Sequence, residues 1–352
     1  ENSVTKLVYV FNSVASNQLD YTIVDKPIYS TDGAKIYFEL PENVEGVDIF
    51  KKTESGLTKL NSNLITSAYD FGLNDGNMTL VVKSVSKTDY GYTNSQISEE
   101  IDIVKLTSPS VSIEDGLIVL TIDQTSADLF ENTIFDPSQD LSTLQGCVIR
   151  FVDSTGKTQY LYKGVEGISL KANKLIVDPT VVLKYGVNSL IKENVKFDVL
   201  ANGDTGKIFL YSNLVSADFY GLFAPTNVSL PAVADPSEVK TQTLTWGDTG
   251  LNVLSNGTNV LAGYTFRLID ANGNEYLSND NLVYLEYDAE QDNYVETSYP
   301  SIITTSSVVF PYGYKNEEGA TVPFSSGNYL VQVTSMPKTA VAGYNLCCSG
   351  YS

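Results

Sequence analysis

Hydrophobic and polar residues alternate in short runs along most of the chain, and turn residues separate these runs. Residues 47–60 (VDIFKKTESGLTKL) contain an alternating run, a Ser-Gly turn and a second short run. In residues 35–40 (KIYFEL), the side chains of Ile36, Phe38 and Leu40 share one face. Because successive side chains point to opposite faces of a strand, this pattern predicts antiparallel hairpins with one face on a core.

The same pattern recurs after two segments in which a proline interrupts the strands. These junctions are residues 107–110 (TSPS) and 223–226 (FAPT). We therefore expect three tandem domains, over residues 1–107, 108–223 and 224–352. Further hairpins are predicted at GCVIRFVDSTGKTQYLY, VKFDVLANGDTGKIFLYSNL and GYTFRLIDANGNEYLS. Their expected core-facing residues are Cys147, Ile149, Phe151, Val195, Phe197, Val199, Tyr264, Phe266 and Leu268.

Helical periodicity is scarce. The best candidate, residues 178–191, is interrupted by Pro179 and Gly186, and residues 126–145 have room for one short helical turn in a long loop. The sequence therefore predicts an all-β fold of three tandem antiparallel β-sandwich domains.

An additional β-prone segment, residues 5–14 (TKLVYVFNSV), precedes the first strand predicted in the first domain, residues 20–27. One interpretation is an ordinary edge strand of the first sandwich. The other is an extended arm that adds a strand to a neighbouring subunit. The candidate interface residues in this segment are Leu7, Val8, Tyr9, Val10 and Phe11.

The charge of the chain is strongly negative, because 42 acidic residues outnumber 22 basic ones and give a net charge of −20. Binding to nucleic acid or to an anionic membrane needs a basic patch, and none is visible, so neither partner is expected. Histidine is absent from the sequence, which excludes Ser-His-Asp triads, Cys-His dyads and histidine-based zinc sites within the chain. No apolar run is long enough for a membrane helix, so membrane insertion is not expected.

Motifs for catalysis and cofactor binding are also missing from the sequence, including the P-loop, the dinucleotide fingerprint, CxxC and GxSxG. Residues 270–275 (DANGNE) resemble the start of a calcium loop, but Glu275 occupies the sixth position, which requires glycine. A hairpin turn explains this stretch better. The acidic run at residues 286–292 is expected to be a solvated surface, with a weak divalent-cation site as the alternative. We therefore expect a protein that is not an enzyme, with no catalytic, cofactor-binding or metal-binding residues.

The three cysteines are Cys147, Cys347 and Cys348. The last two are adjacent, so within a strand they would point to opposite faces. One of them is expected to be a buried small apolar residue. The alternative is an exposed thiol that cross-links neighbouring subunits.

Several tyrosines stand beside glycines in segments expected to be loops or the chain end. Tyrosine provides a large contact area at a small entropic cost. These rings either cover the ends of the sandwiches or form contact patches for other subunits or glycans. The candidate interface tyrosines are Tyr90, Tyr92, Tyr220, Tyr312, Tyr314 and Tyr344.

The order of the predicted elements resembles that of fibronectin type III and immunoglobulin-like domains. The first domain has a B strand, a C–C′ hairpin with a Ser-Gly turn, a corner at residues 69–73 (YDFGL) and an F–G pair. In the third domain, Trp246 and Tyr264 match the core aromatics that the family carries on strands B and C. The second domain resembles the family least.

The resemblance implies a non-enzymatic structural protein, because such domains occur in tandem in phage structural proteins and bacterial surface proteins. The leading expectation is a component of a phage virion exterior, such as a decoration protein, a head fibre or a tail component. Its partners would be copies of itself or other structural proteins of the virion or surface. The alternative is a subunit of a bacterial cell-surface filament, or an adhesin that binds carbohydrate through Trp246, Tyr312 or Tyr314. Either function places the protein on a virion exterior or outside the cell.

Overall fold

A computed structural model of the chain describes residues 5–9, 18–31, 35–72, 76–87, 91–139, 141–185, 190–202, 207–230, 242–325, 327–339 and 341–352. Of these residues, 52% are in strands and 5% in helices, which confirms the all-β fold of tandem β-sandwiches. No helix in these ranges is long and apolar enough to cross a membrane.

The first sandwich has two facing sheets around one apolar core. Its strands, with an N-terminal hairpin before them, are β1 Thr5–Tyr9, β2 Gln18–Ile23, β3 Ile28–Thr31, β4 Lys35–Glu39, β5 Val44–Thr53, β6 Gly56–Lys59, β7 Ala68–Asp70, β8 Met78–Ser86, β9 Tyr92–Thr93 and β10 Ile101–Lys105. One sheet has the order β3-β4-β7 and the other contains β6-β5-β8-β10. Ile36 and Phe38 are buried between them as the alternation predicted. The small sheet β1-β2-β9 lies outside this pair.

The second sandwich repeats this strand order and adds helical segments. Its elements are β11 Ser110–Glu114, β12 Leu117–Thr121, α1 Gln124–Glu131, a 3₁₀ helix Leu141–Thr143, β13 Gly146–Val152, β14 Thr158–Leu161, β15 Ile168–Lys171, β16 Lys174–Val177, α2 Pro179–Val182, β17 Lys192–Asn202, β18 Lys207–Leu210 and β19 Val215–Gly221. The sheet β11-β12-β16-β15 faces β14-β13-β17-β19.

Between β12 and β13, helix α1 packs into the core of the second sandwich, and the residues after it cover the outer face of the sheet β14-β13-β17-β19. Helix α1 begins after Asp123, whose carboxylate accepts the N–H of Ser126 at 2.8 Å. The predicted inward residues of β13 and β17 are buried as expected. Val148 and Leu200, which point to the other face, are also fully buried, because Phe135 from this segment packs over them. The sheet is therefore covered on both faces, which alternation alone did not predict.

The third sandwich carries an additional sheet. Its strands are β20 Thr226–Ser229, β21 Thr243–Gly247, β22 Leu261–Ile269, β23 Glu275–Leu277, β24 Leu282–Asp288, β25 Asn293–Ser298, β26 Ser307–Val309, β27 Gly313–Lys315, β28 Thr321–Pro323, β29 Leu330–Pro337 and β30 Leu346–Cys347. Sheets β20-β21-β26 and β23-β22-β29 enclose the core, and β25-β24-β27-β28 forms the third sheet. Trp246 is buried edge-to-face against Tyr264, with ring centroids 5.4 Å apart, so it belongs to the core.

The stretch that resembles a calcium loop is a hairpin turn. The Oδ1 atom of Asp270 accepts the N–H groups of Asn272 and Asn274 at 2.8 and 2.9 Å. Gly273 adopts a φ of 85°, in the left-handed region that glycine enters without strain. The carboxylate therefore organises the turn between β22 and β23, as the sequence predicted.

Serine side chains replace part of the strand ladder in all three sandwiches. At each position, which we name a serine clamp, the serine N–H donates to a carbonyl of the neighbouring long strand. Its Oγ accepts the N–H of that same strand residue at 2.8–2.9 Å, and the hydroxyl donates to the next carbonyl of its own segment. The clamps join Ser95 to Ser84, Ser98 to Val82, Ser212 to Val199 and Ser349 to Ser335.

We expect Ser212→Ala to lower the free energy of unfolding by about 1–3 kcal/mol, because the buried N–H of Val199 loses its acceptor. The measurement is chemical denaturation of the purified protein. The matched control is Ser169→Ala on the exposed face of β15, which is expected to change stability by less than about 0.5 kcal/mol. Equal effects of both variants would contradict a structural role of the clamp.

Asp153 closes the β13–β14 hairpin through its carboxylate. Its Oδ2 accepts from the ammonium of Lys184 at 2.8 Å, and its Oδ1 accepts from the hydroxyl of Thr155 and from two backbone N–H groups. The hydrogen bond from Lys184, followed by that from Thr155, holds the pKa of Asp153 well below its usual range. The carboxylate therefore contributes stability above the pH at which an unfolded aspartate titrates, and this contribution is lost as pH falls through the folded pKa.

We expect Asp153→Asn to lower the Tm at neutral pH, and the difference from the wild type to shrink as the pH falls below about 4. The measurement is a series of thermal melts between neutral and acidic pH. Asp25→Asn, on an exposed residue, is the control and is expected to follow the wild-type curve. A difference for Asp153→Asn that stays constant over this range would contradict the assignment.

Candidate interaction surfaces

Parallel strand pairs connect successive parts of the described chain. Strand β18, from the second sandwich, pairs with the edge strand β10 of the first, and β30 pairs with the edge strand β19 of the second. Strand β9 pairs in the same way with β2 of the N-terminal hairpin. In the first two sandwiches the added strand lies shortly before the last strand of its own sandwich, whereas β30 is the last strand described in the third. An open sheet edge is thus covered by a strand from the next unit.

The edge strands that receive these additions share a sequence. In each of them an aspartate is followed four positions later by an aliphatic residue and seven positions later by a proline. These motifs span residues 20–27, 102–109 and 218–225. The aliphatic residue and the proline are buried in all three. The backbone N–H of the aliphatic residue donates to the carbonyl of the last residue of the added strand at 3.0–3.1 Å, which joins Val24 to Thr93, Leu106 to Leu210 and Leu222 to Cys347.

The first and second sandwiches exchange side chains at their junction. Ile208 and Leu210 of β18 are buried in the core of the first sandwich, whereas Phe209 between them is buried in the core of the second. Leu106, at the end of β10, also packs into the second core. Full burial of a side chain of this size contributes about 1.5–3 kcal/mol. The expected domain boundaries stay a prediction, because β18 and β30 each pair with a strand of the preceding domain.

The last segment of the chain joins the second and third sandwiches. The thiols of Cys347 and Cys348 are both buried and free, and burial raises the pKa of Cys348 to about 12. The hydroxyl of Tyr185 donates to the carbonyl of Cys348 at 3.2 Å. The alternative of an exposed cross-linking thiol at these positions is therefore wrong, because β30 is enclosed between two sandwiches.

Two of the candidate tyrosines meet each other in this junction. The rings of Tyr220 and Tyr344 lie 5.2 Å apart and pack on the buried residues Leu222 and Leu346. Tyr220 lies on β19 and not in a loop, because its half-buried ring covers the edge of the core while the backbone continues the ladder. This pair links units within one chain.

Other candidate residues lie apart from this junction. Tyr92 is half-buried on β9, and Tyr314 on β27 packs against the rings of Tyr276 and Phe324. Tyr312 is half-buried before β27 and receives a hydrogen bond on its carbonyl from the N–H of Phe324. The backbone of Leu7, Val8 and Tyr9 pairs with β2 of the same chain, whereas Val10, Phe11 and Tyr90 lie outside the described residues.

The acidic run at residues 286–292 forms the tip of the β24–β25 hairpin. The rings of Tyr287 and Tyr294 contact each other there at 5.5 Å, and 53% of Tyr287 is exposed. The hydroxyl of Tyr287 donates to Asp292 at 2.5 Å. The sequence patterns did not single out this pair, because the two rings are brought together only by the hairpin register.

Several carboxylates in the described ranges take part in structural hydrogen bonds. No cluster of three or more cysteine, aspartate or glutamate residues there has the geometry to hold a metal ion. The carboxylates of Asp153, Asp198 and Asp270 are instead bound by neighbouring lysine, arginine, hydroxyl or amide groups. The described surface also presents an exposed aromatic pair at the tip of the β24–β25 hairpin.

Comparison with known proteins gives similar structures. No protein-family model and no curated protein matches the sequence. The chain is similar to the FN1–FN3 domains of chicken CNTN1, with 11% identity over 94% of this chain and 97% of that chain, and a TM-score of 0.19. It is also similar to the chicken interferon gamma receptor alpha chain, with 10% identity over 56% of this chain and 98% of that chain, and a TM-score of 0.19. The BSP domain of a biofilm associated protein is also similar, with 16% identity over 55% of this chain and 29% of that chain, and a TM-score of 0.16.

Because these TM-scores are low, the fold assignment depends on the strand order itself. In the strand letters used for fibronectin type III domains, each sandwich has one sheet with neighbouring strands A, B and E, and a facing sheet with neighbouring strands C′, C and F. Strands β10 and β19 are the G strands of the first two sandwiches. This arrangement confirms the resemblance inferred from the sequence. The chain is a tandem array of fibronectin type III-like β-sandwiches.

Proposed function

We propose that this chain is a non-enzymatic structural protein that assembles through its sheet edges at the exterior of a phage virion. The observation that carries the proposal is the repeated strand addition, in which β9, β18 and β30 each cover the edge of a preceding strand. Such pairing joins units through backbone hydrogen bonds and depends little on side-chain identity. It is therefore suited to a building block present in many copies.

The composition supports the same proposal. The negative charge keeps a protein with many sheet edges soluble before assembly, because like charges oppose uncontrolled edge pairing. The sequence contains no histidine, and the buried carboxylates of Asp153 and Asp198 accept structural hydrogen bonds. Both observations argue against catalysis. The roles proposed within a virion are decoration protein, head fibre or tail component.

The test is quantitative peptide mass spectrometry of fractions from the native source. The fractions are density-purified virus particles, sheared surface appendages, envelope and soluble supernatant. We expect enrichment in particles at many copies per particle. Enrichment in appendages or envelope would instead identify a cell-surface filament protein, and a soluble protein of low copy number would contradict an assembly function altogether.

A second candidate function, an adhesin that binds carbohydrate, is favoured by the exposed tyrosine pair at the tip of the β24–β25 hairpin. Trp246 and Tyr314, which the sequence suggested for stacking on sugars, pack within the third sandwich and do not support this function. The test is a glycan array with the wild type and the Tyr287→Ala variant. Binding that Tyr287→Ala abolishes would support the adhesin, and no binding by the wild type would remove it.

A further inference from the structure

The linkers between successive sandwiches are short and alike. Residues 106–109 connect β10 to β11, and residues 222–225 connect β19 to β20. Each linker begins with the buried leucine and ends with the buried proline of the motif that the edge strands share. Because proline has a fixed φ and the residues at both ends are packed, a linker of this kind has few conformations to choose from.

A short linker alone would still allow one sandwich to pivot on the next, and such motion is the usual expectation for tandem domains. The first joint has a second connection, which is the added strand β18. It pairs with β10 of the first sandwich from Lys207 to Leu210, and the serine clamp at Ser212 holds the residues after it on β17. A pivot about the linker would therefore have to break this ladder and withdraw Ile208 and Leu210 from the first core.

Side-chain hydrogen bonds hold the first linker and the end of β10 on the second sandwich. The hydroxyl of Ser108 donates to the carbonyl of Asn213 at 2.8 Å. The ammonium of Lys105, at the end of β10, donates to the carbonyl of Tyr211 at 2.5 Å. The two acceptors flank the clamp serine, so the linker and the end of β10 are both bound to the segment between β18 and β19.

A buried side chain of the third sandwich binds the linker of the second joint. The Oδ1 atom of Asn252, between β21 and β22, accepts the N–H of Phe223 at 2.8 Å, and its Nδ2 atom donates to the carbonyl of Phe223 at 3.4 Å. Only 3% of Asn252 is exposed. One amide thus holds both backbone groups of a linker residue, and moving the linker away would leave buried polar groups without partners.

The second joint also has a second connection, which is formed by residues 346–349. Strand β30 pairs with β19 of the second sandwich, and the serine clamp at Ser349 binds Ser335 on β29 of the third. Between these two contacts, the N–H of Cys348 donates to the carbonyl of Gly116 at 2.8 Å. The segment is therefore bonded to both sandwiches within a few residues, which leaves it little length to extend if one sandwich moves.

Two separate connections at each joint remove the freedom that one linker would leave. We propose that the joints make the three sandwiches one rigid strut, which holds the first sandwich at a fixed distance and orientation from the exposed pair of Tyr287 and Tyr294 in the third. The chain then works as a spacer that positions a contact surface. This inference goes beyond the proposed function, because rigidity is a property of the chain on a virion and on a cell surface alike.

The experiment is pulsed electron paramagnetic resonance, which measures the distribution of distances between two spin labels on the whole chain. The labels are attached to cysteines introduced at exposed strand positions, because the three native thiols are buried. Leu57→Cys with Ser169→Cys spans the first joint, and Ser169→Cys with Leu330→Cys spans the second. The control is Ser30→Cys with Leu57→Cys, in which both labels lie on the first sandwich.

We expect the distributions across both joints to be as narrow as that of the control pair, whose width reflects only the labels themselves. A distribution across either joint that is about twofold broader than the control, or more, would overturn the rigid strut and indicate the usual motion of tandem domains. This measurement needs no destabilising substitution, so it decides the proposal whether or not the variants that follow remain folded.

Two variants identify the element that fixes the first joint. Ile208→Ala with Leu210→Ala removes the side chains that anchor β18 in the first core, and is expected to broaden the first-joint distribution about twofold or more while the second stays narrow. A Gly-Ser-Gly-Ser insertion after Thr107 lengthens the linker but leaves β18 in place, and is expected to leave both distributions narrow. Circular dichroism and thermal melting check that each variant remains folded.

Either of two results would overturn the assignment of β18 as the element that fixes the joint. One is a folded double variant whose first-joint distribution is unchanged. The other is an insertion that broadens the first joint as much as the double variant does, because the linker alone would then set the geometry.

Discussion

Replacement of both Ile208 and Leu210 by aspartate is expected to make the first sandwich unfold separately from the second and at a lower temperature. The two side chains come from the second sandwich but are buried in the core of the first, at 2% and 3% exposure. Truncating one such residue to alanine costs about 2–5 kcal/mol. An unpaired buried charge costs more, so the added strand β18 is expected to leave the edge of β10.

The measurement combines calorimetry with hydrogen exchange followed by mass spectrometry. We expect β5 and β8 of the first sandwich to lose protection, while β13 and β17 of the second keep most of theirs. Leu214→Asp is the exposed control on the same segment and is expected to change neither sandwich. Unchanged protection of β5 and β8 in the double variant would show that β18 does not stabilise the first sandwich.

Phe209→Ala provides the complementary variant, because this ring is buried in the second core and not in the first. Adjacent strand residues point to opposite faces, so its truncation is expected to lower the protection of β13 and β17 more than that of β5 and β8. Opposite effects of adjacent substitutions would establish that one short strand connects two cores. Equal losses in both sandwiches would instead indicate general unfolding of the segment.

Gly146→Ala is expected to destabilise the second sandwich by about 3 kcal/mol or more, from backbone strain together with a steric clash. Gly146 adopts a φ of 100°, which L-residues with a side chain rarely adopt. A Cβ atom there would lie 2.7 Å from the carbonyl oxygen of Leu129 and from the Cα of Thr133. Both contacts are backbone atoms at the end of α1, which hydrogen bonds between Thr133 and Cys147 hold against β13. The clash can therefore be relieved only by moving the helix.

The matched control for this substitution is Gly156→Ala. Gly156 also has a positive φ, of 85°, but no atom lies within 4 Å of its added Cβ. It is expected to cost only the conformational strain, about 1–2 kcal/mol. The measurement is denaturant unfolding of both variants and the wild type. Similar losses in the two variants would mean that the packing of α1 on β13 adapts to a methyl group.

Much of the fold follows from the sequence, because alternation and turn chemistry act locally. The inward faces of β4, β13, β17 and β22 are buried as their apolar positions predicted. The turn at Asn272 and Gly273 forms where an Asn-Gly pair stands between two alternating runs, and Gly273 adopts the positive φ. The strand order of the sandwiches also agrees with the family that the sequence resembles.

The repeated edge motif was present in the sequence but is recognisable only with the structure. Its constant residues are few, namely an aspartate, an aliphatic residue and a proline, and the spacing between repeats is uneven. Such a pattern is too sparse to identify by periodicity. The structure shows that the motif marks an edge that receives an added strand, because the backbone N–H groups of Val24, Leu106 and Leu222 each donate to such a strand.

Strands and their apolar faces could be predicted from the sequence, because both depend on neighbouring residues. The pairing of the strands became known only from the folded chain. Strands β18 and β30 contain four and two residues, too few to specify a partner by their own pattern. Their partners are set by long-range packing. Ile208 and Leu210 of β18 are buried in the core of the first sandwich, whereas Cys347 of β30 is buried in the core of the second and Leu346 in a separate apolar cluster. The contacts that define this protein as an assembly of joined sandwiches therefore depend on pairings between distant segments.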